Sequence, residues 1–257
     1  TGVKSKLWEY KYNAKDPNFP EIPQITPGQS QPDSERVSSF VYPGGILAVH
    51  SQGRGKDQIW SALKNKNVYG TSGPRILLWF DLMNSPEGKI PMGSKITMSQ
   101  NPQFEVRAAG SFKQNPGCSN ESIDSLSPER LEYLCSGECY NPSNERQIIE
   151  RIEVIKITPQ SYVGEAISPL IEDAWKIIPC TGSGECVVRF EDDNYSRDTV
   201  YYVRAIQEET PAINGSQLSE RKSFKICKGS FRTNLEDDCL SMTNERAWSS
   251  PIYVNKP

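Results

Sequence analysis

"NVYGTSGPRILLWFDLMN", residues 67–84, decides how the chain is read. Its second half, RILLWFDLM (75–83), is an apolar run of strand length, and Gly73 followed by Pro74 marks a sharp entry into it. Upstream, GGILAVH (44–50) reads as a short strand behind a double glycine. GKDQIWSALKNKN (55–67) places Ile59, Trp60 and Leu63 at helical spacing. Strand, helix and strand with tight connections form a βαβ-like unit, which suggests a parallel sheet or the closing segment of an α/β barrel.

The flanks have a different character. DPNFPEIPQITPGQSQPDSE, within 14–42, is too rich in proline and polar residues for regular structure and reads as a long surface loop. Beyond residue 90, KITMS, QFEVRAAG, ERIEVIKITPQ, WKIIPC, CVVRFED, DTVYYVRAIQEE and SSPIYV are short β-branched or aromatic stretches separated by turn residues. They argue for an antiparallel sandwich. One helix is expected around LSPERLEYLCSG (126–137), with Ser127 as cap and Pro128 at the first helical position. The fold class expected is α+β.

Composition excludes several functions. With 29 Lys and Arg against 32 Asp and Glu, and no basic block interleaved with aromatics, nucleic acid is not an expected partner. No apolar run approaches the ~20 residues of a membrane span. TGVKSKLWEY has no apolar signal core, so the numbering is expected to start inside a longer precursor. The acidic clusters FEDDNYSRD and LEDDC read as solvated turns or, alternatively, as Ca²⁺ loops, although the alternating ligands of an EF-hand are absent.

Seven cysteines fall at 118, 135, 139, 180, 186, 227 and 239. Cys180 and Cys186 flank TGSGE, and Cys227 and Cys239 flank a second polar loop, so two local disulfides are the simplest reading. Cys118 is expected to join Cys135 or Cys139. Disulfides imply an oxidising compartment, periplasmic or secreted; a zinc site is the rival, but no second close cysteine pair supports it.

Candidate chemistry is sparse, and no catalytic residue or metal ligand set is assigned. The single histidine, His50, ends a strand before a glycine-containing turn, where α/β folds place their sites. Ser72 and Arg75, with Thr71, could contact an anion, but TSGPR matches neither a P-loop nor a nucleophile elbow. The competing reading is architectural: Gly73 supplies a permissive dihedral, Pro74 fixes the exit and Arg75 pairs with an acid. Trp175 and Trp248 would make a carbohydrate platform if both rings were exposed.

ALKNKNVYGTSGPRILLWFDL, LCSGECYNPSNERQIIERIEVIKITPQ, LIEDAWKIIPC, DTVYYVRAIQEE and ERAWSSPIYV together resemble the C-terminal half of an uncharacterised bacterial family, domain of unknown function 3604, from about residue 44 to the end. That family is similar to the PHP metal hydrolases, whose α/β barrel carries His and Asp ligands for divalent metals. The resemblance implies three parts: a proline-rich lead-in at 1–43, the end of a PHP-like barrel at 44–90, and a disulfide-bearing β-rich domain at 91–257. It implies phosphoester or related hydrolysis, with metal-generated hydroxide. The His-x-His and Asp-x-His motifs of that barrel are missing here. The chain is therefore expected to be the C-terminal portion of a secreted PHP-like metal-dependent hydrolase, incomplete alone and binding no cofactor itself. The divalent metal and the small-molecule substrate, of unknown identity, would belong to the complete protein, through an N-terminal barrel portion in the same precursor or a separate chain. His50, Ser72 and Arg75 would then approach the site as substrate or anion contacts. The alternative is a non-catalytic extracytoplasmic module binding carbohydrate, envelope or protein.

Overall fold

A computed structural model describes residues 45–135, 140–182, 184–213 and 240–257. The lead-in at 1–43, Cys139, Cys227 and Cys239 lie outside the described residues. Of the described residues 53% are strand and 14% helix. The molecule is therefore mostly β, and its antiparallel character extends over the N-terminal elements as well.

The residues of β3 (Leu77–Ser85) alternate, sending Leu78, Phe80 and Leu82 inward to complete burial while Trp79 and Asp81 stay outside. Its neighbours are β4 (Gly88–Pro91) and β6 (Gln103–Ala109), and β11 (Glu185–Glu191) pairs with β6, giving an antiparallel four-stranded sheet in the order β11-β6-β3-β4. Facing it is an eight-stranded sheet whose spine is the long strand β12 (Thr199–Ile213). On one side β12 pairs with β9 (Ile149–Ile157), which carries β10 (Ile171–Pro179). On its other side lie β13 (Leu240–Ser249) and β14 (Ile252–Asn255). The short strand β5 (Lys95–Thr97) runs parallel to β14.

The two sheets bury one core between them. Phe80 and Phe104 stack at 5.3 Å, Phe104 meets Phe190 at 5.0 Å, and Phe104 reaches across to Tyr201 of the facing sheet at 4.8 Å. Ile152, Val154, Val203, Ala205 and Val254 complete the opposite layer. Such aromatic contacts add to the burial of apolar area that drives the sheets together. The Cys180–Cys186 disulfide joins the end of β10 to the start of β11, tying the sheets at one corner. Cys118 is also disulfide-bonded.

The first strand-helix-strand segment departs from the parallel βαβ reading. β1 (Ile46–Val49) and β2 (Val68–Thr71) are antiparallel, with Ile46 opposite Thr71 and Val49 opposite Val68. The helix α1 (Lys56–Lys64) lies inside the connection between them. The excursion closes at its base, where the His50 N–H donates to the Asn67 carbonyl at 2.8 Å. Two chain ends held that close oblige the flanking strands to run in opposite directions. β3 then enters the other sheet instead of extending β1–β2. Among the described residues no closed barrel forms, and strands on either side of residue 90 are hydrogen-bonded within the same two sheets, β2 to β13 and β3 to β6.

An arm leaves the sandwich after β6: strand β7 (Phe112–Pro116), helices α2 (Asn120–Ser125) and α3 (Pro128–Cys135), and strand β8 (Tyr140–Arg146), which pairs back on β7. Ser127 caps α3, its Oγ accepting from the Arg130 N–H at 3.2 Å, with Pro128 at the first position.

Candidate functional site at the β1–α1 corner

The segment singled out in the sequence builds one corner of the molecule. α1 starts after Gly55, whose N–H donates to the Gln58 side chain at 2.9 Å. Asp57 lies in its first turn and Lys64 in its last, each matched to the helix dipole. The helix fully buries only Ala62. Trp60 is 58% exposed and Leu47 of the edge strand β1 60%, and Ile46 and Ile59 are exposed too. Val49, Ser51, Gln52, Gly53, Arg54 and Ile59 line an open groove between strand and helix. Arg54, Lys56 and Lys64 lie in the same segment, 46–64, whose one acid is Asp57, and Lys64 Nζ stands 5.7 Å from the centre of the Trp60 ring.

His50 marks the inner wall of the corner. Its Nε2 lies 2.8 Å from the Leu78 carbonyl, an acceptor only, so that nitrogen carries the proton and donates. The ring packs against Tyr69 at 5.3 Å and Trp79 at 5.7 Å, and the Arg107 guanidinium covers Trp79 at 4.1 Å. The histidine thereby links β1 to β3 across the two sheets.

Ser72 and Arg75 sit at the opposite end of β2, about 13 Å along the strand by its rise per residue. Ser72 is tied to β13: its Oγ donates to the Glu245 carboxylate and accepts from the Arg246 N–H at 2.9 Å, and its own N–H donates to the Arg246 carbonyl at 3.0 Å. Gly73 has φ of 142°, a region costly for any side chain, and donates to Thr71 Oγ1 at 3.2 Å. Arg75 is exposed and makes no ion pair with a described residue. The three expected contact residues are thus not gathered around one point.

The other sequence candidates fall elsewhere. Asp192 of FEDDNYSRD is fully buried, bound to Lys156 Nζ at 2.7 Å, to the Tyr201 hydroxyl at 2.5 Å and to the Asn194 N–H at 3.1 Å. It braces the sheets, and its oxygens are taken up by protein donors, the Lys156 ammonium among them. Burial, reinforced by Asp192, raises the Tyr201 pKa far above its ordinary value. Trp175 packs inward against Phe190 and Tyr201 at 6.3 and 6.2 Å. Trp248, opposite Arg204, is only partly exposed. They do not form an exposed aromatic platform. LEDDC lies outside the described residues.

Among the described residues no group of three or more His, Cys, Asp or Glu is placed to hold a metal ion. The one histidine has its Nε2 committed to a carbonyl. These residues do not fit the divalent metal implied by a hydrolase, and no catalytic step is derived through it.

Residues 1–115 match the family described as Protein of unknown function (DUF3604). The DUF3604 stretch contains β1, α1 and β2 through β6, so the whole corner lies within it. The phrases from residue 134 onward lie outside the match, which places the resemblance in the N-terminal part of the chain instead of from 44 to the end. No curated protein and no solved structure matches significantly.

Sequence reasoning identified α1 but missed how little of it is covered by the described residues. The signal was present: Ile59, Trp60 and Leu63 promise a buried face, while among the described residues the helix that carries them packs mainly beside a four-residue strand, β1.

Proposed function

We propose that this chain is the C-terminal, β-sandwich portion of an extracytoplasmic PHP-like metal-dependent hydrolase, and that its part in that protein is assembly. The metal ligands and the phosphoester or related chemistry belong to an N-terminal barrel portion, in the same precursor or a separate chain. The β1–α1 corner is the face on which that portion docks. One observation carries the reading: inside the DUF3604-matched stretch, Leu47 and Trp60 stand exposed on an edge strand and on a helix that fully buries a single alanine. Large apolar side chains grouped in this way are characteristic of interaction surfaces. The cationic surround of Arg54, Lys56 and Lys64 favours a docking surface with an acidic rim. The Cys180–Cys186 disulfide supports an oxidising compartment, and no helix among the described residues is long and apolar enough to cross a membrane.

Hydrogen exchange tests the docking face. In protein isolated from its native source, amides of residues 46–64 should exchange at least about tenfold more slowly than in the 257-residue chain alone, because a covered edge strand opens less often. Equal exchange in both would remove the corner as a docking face.

A further inference from the structure

The edges of the two sheets are not equally guarded. An edge strand leaves half of its backbone N–H and C=O groups unpaired, and proteins commonly blunt it by shortness, a proline or a bulge. β1 and β4 have four residues each, and β4 ends in Pro91. β10 is interrupted by a register shift between Glu172 and Lys176, where Ala174 takes φ of 51°, and it ends in Pro179. β11 has none of these devices. Its seven residues pair with β6 without a break, from Glu185 opposite Ala109 to Glu191 opposite Gln103. Among the described residues no strand lies on its other side.

The hydrogen bonds at the two ends of the β11–β6 ladder fix which groups face that open edge. The Gly110 N–H donates to the Gly184 carbonyl at 2.9 Å, and the Asp192 N–H donates to the Pro102 carbonyl at 3.2 Å. Bonding to β6 is therefore carried by the even-numbered residues, and Glu185, Val187, Arg189 and Glu191 turn their N–H and C=O groups away from the sheet. The side chains of these odd-numbered residues lie on the outer face, while Cys186, Val188 and Phe190 join the core. Val187 is 58% exposed. Arg189 holds Glu105 through Nε at 2.8 Å and Nη2 at 2.7 Å, which leaves Nη1 without a described partner.

The stretch Glu185-Cys186-Val187-Val188-Arg189 is its own complement when reversed. In an antiparallel pair with a two-fold axis at Val187, that residue faces Val187 of a second copy, and Glu185 of each copy faces Arg189 of the other. All three positions are odd-numbered, so every facing pair can exchange backbone bonds in both directions. An axis at Val188 would instead oppose Glu185 to Glu191, and an axis at Arg189 would oppose the two arginines. Like charges placed directly opposite each other are destabilising, so charge selects the Val187 register.

We infer that β11 is the interface of a two-fold symmetric dimer of this chain, in which the two four-stranded sheets join edge to edge. β11 lies over β9 and β3 over β13, which puts this edge and the β1–α1 corner on opposite sides of the sandwich. The dimer therefore forms whether or not a barrel portion docks on the corner.

Analytical ultracentrifugation of the 257-residue chain tests it. The expected result is a reversible equilibrium that is mainly dimer at about 100 μM. Val187→Pro removes the central N–H at the open edge and spares the bonds to β6, so it should weaken dimerisation at least about tenfold. Glu185→Arg alone, or Arg189→Glu alone, should weaken it about tenfold, because the symmetry repeats each like-charge contact. An equal mixture of these two variants should regain wild-type dimerisation, since each facing pair then joins an arginine to a glutamate. Circular dichroism melts verify that the variants fold, and if Val187→Pro does not, the two charge variants decide. A wild-type monomer at about 100 μM, a dimer indifferent to a folded Val187→Pro, or a mixture no better than its separate components would each overturn the proposal.

Discussion

The interior of the sandwich and the β1–α1 corner use similar side chains to opposite ends. Between the sheets, Phe80, Phe104, Phe190 and Tyr201 meet ring to ring, and the fully buried acid Asp192 is matched by Lys156 and two further donors. At the corner, Trp60, Leu47, Ile46 and Ile59 meet solvent, and the cations around them face a single acid. The facing layers of the sandwich turn most of their large apolar side chains into a shared core. Among the described residues the corner leaves its apolar area uncovered, and in the proposed function that area serves an association.

Substitutions can break that contrast if it is false. Phe80→Ala should cost about 3–5 kcal/mol in a urea melt, since a void in a close-packed core collapses only partly. Trp60→Ala should stay within about 0.5 kcal/mol in the same chain. A Trp60 cost approaching that of Phe80 would mean that the corner is packed. Lys156→Met should also cost about 3–5 kcal/mol, because it strands a buried carboxylate, and Lys156→Met/Asp192→Leu should recover most of the loss. Replacing Cys180 and Cys186 together by serine should cost about 2 kcal/mol, as expected for a short closed loop.

The smallest expected effect sharpens the comparison at the surface. Arg197 grips Glu165 through Nη1 at 2.8 Å and Nη2 at 3.0 Å, and Ser161 adds an N–H at 2.7 Å. Arg197 first, then Ser161, lowers the Glu165 pKa from 4.5 to about 2. A carboxyl depressed in the folded state contributes stability that is fully present above its unfolded value of 4.5 and is lost as pH falls through about 2. Glu165→Gln should therefore flatten the stability profile between those values, with little change in its shape at neutral pH; acid titration monitored by fluorescence measures it.

Individual strands were legible in the sequence because alternation is local: RILLWFDLM and DTVYYVRAIQEE each declare a face. Partners were not, because pairing depends on where distant ends return. The β1–α1–β2 segment has the composition of a parallel crossover, and only the closure of His50 on Asn67 makes it a hairpin. The clue lay in Asn65-Lys66-Asn67, where Lys66 adopts φ of 57° to turn the chain back. β2 hid because VYGT looks like part of the turn that follows it. The Cys180–Cys186 bridge was readable from spacing alone, and so were Ser127 and Pro128 at the start of α3. The roles of His50 and Ser72 were not, since a histidine bonded to a carbonyl and a serine locked to a neighbouring strand use the same residues as a binding site would.

The most direct test is the intact mass and metal content of the species that carries this sequence in its native source. The expected result is a mass, of one chain or of a stable complex, well above 28.9 kDa, with divalent metal bound. A species of about 28.9 kDa without metal would contradict it.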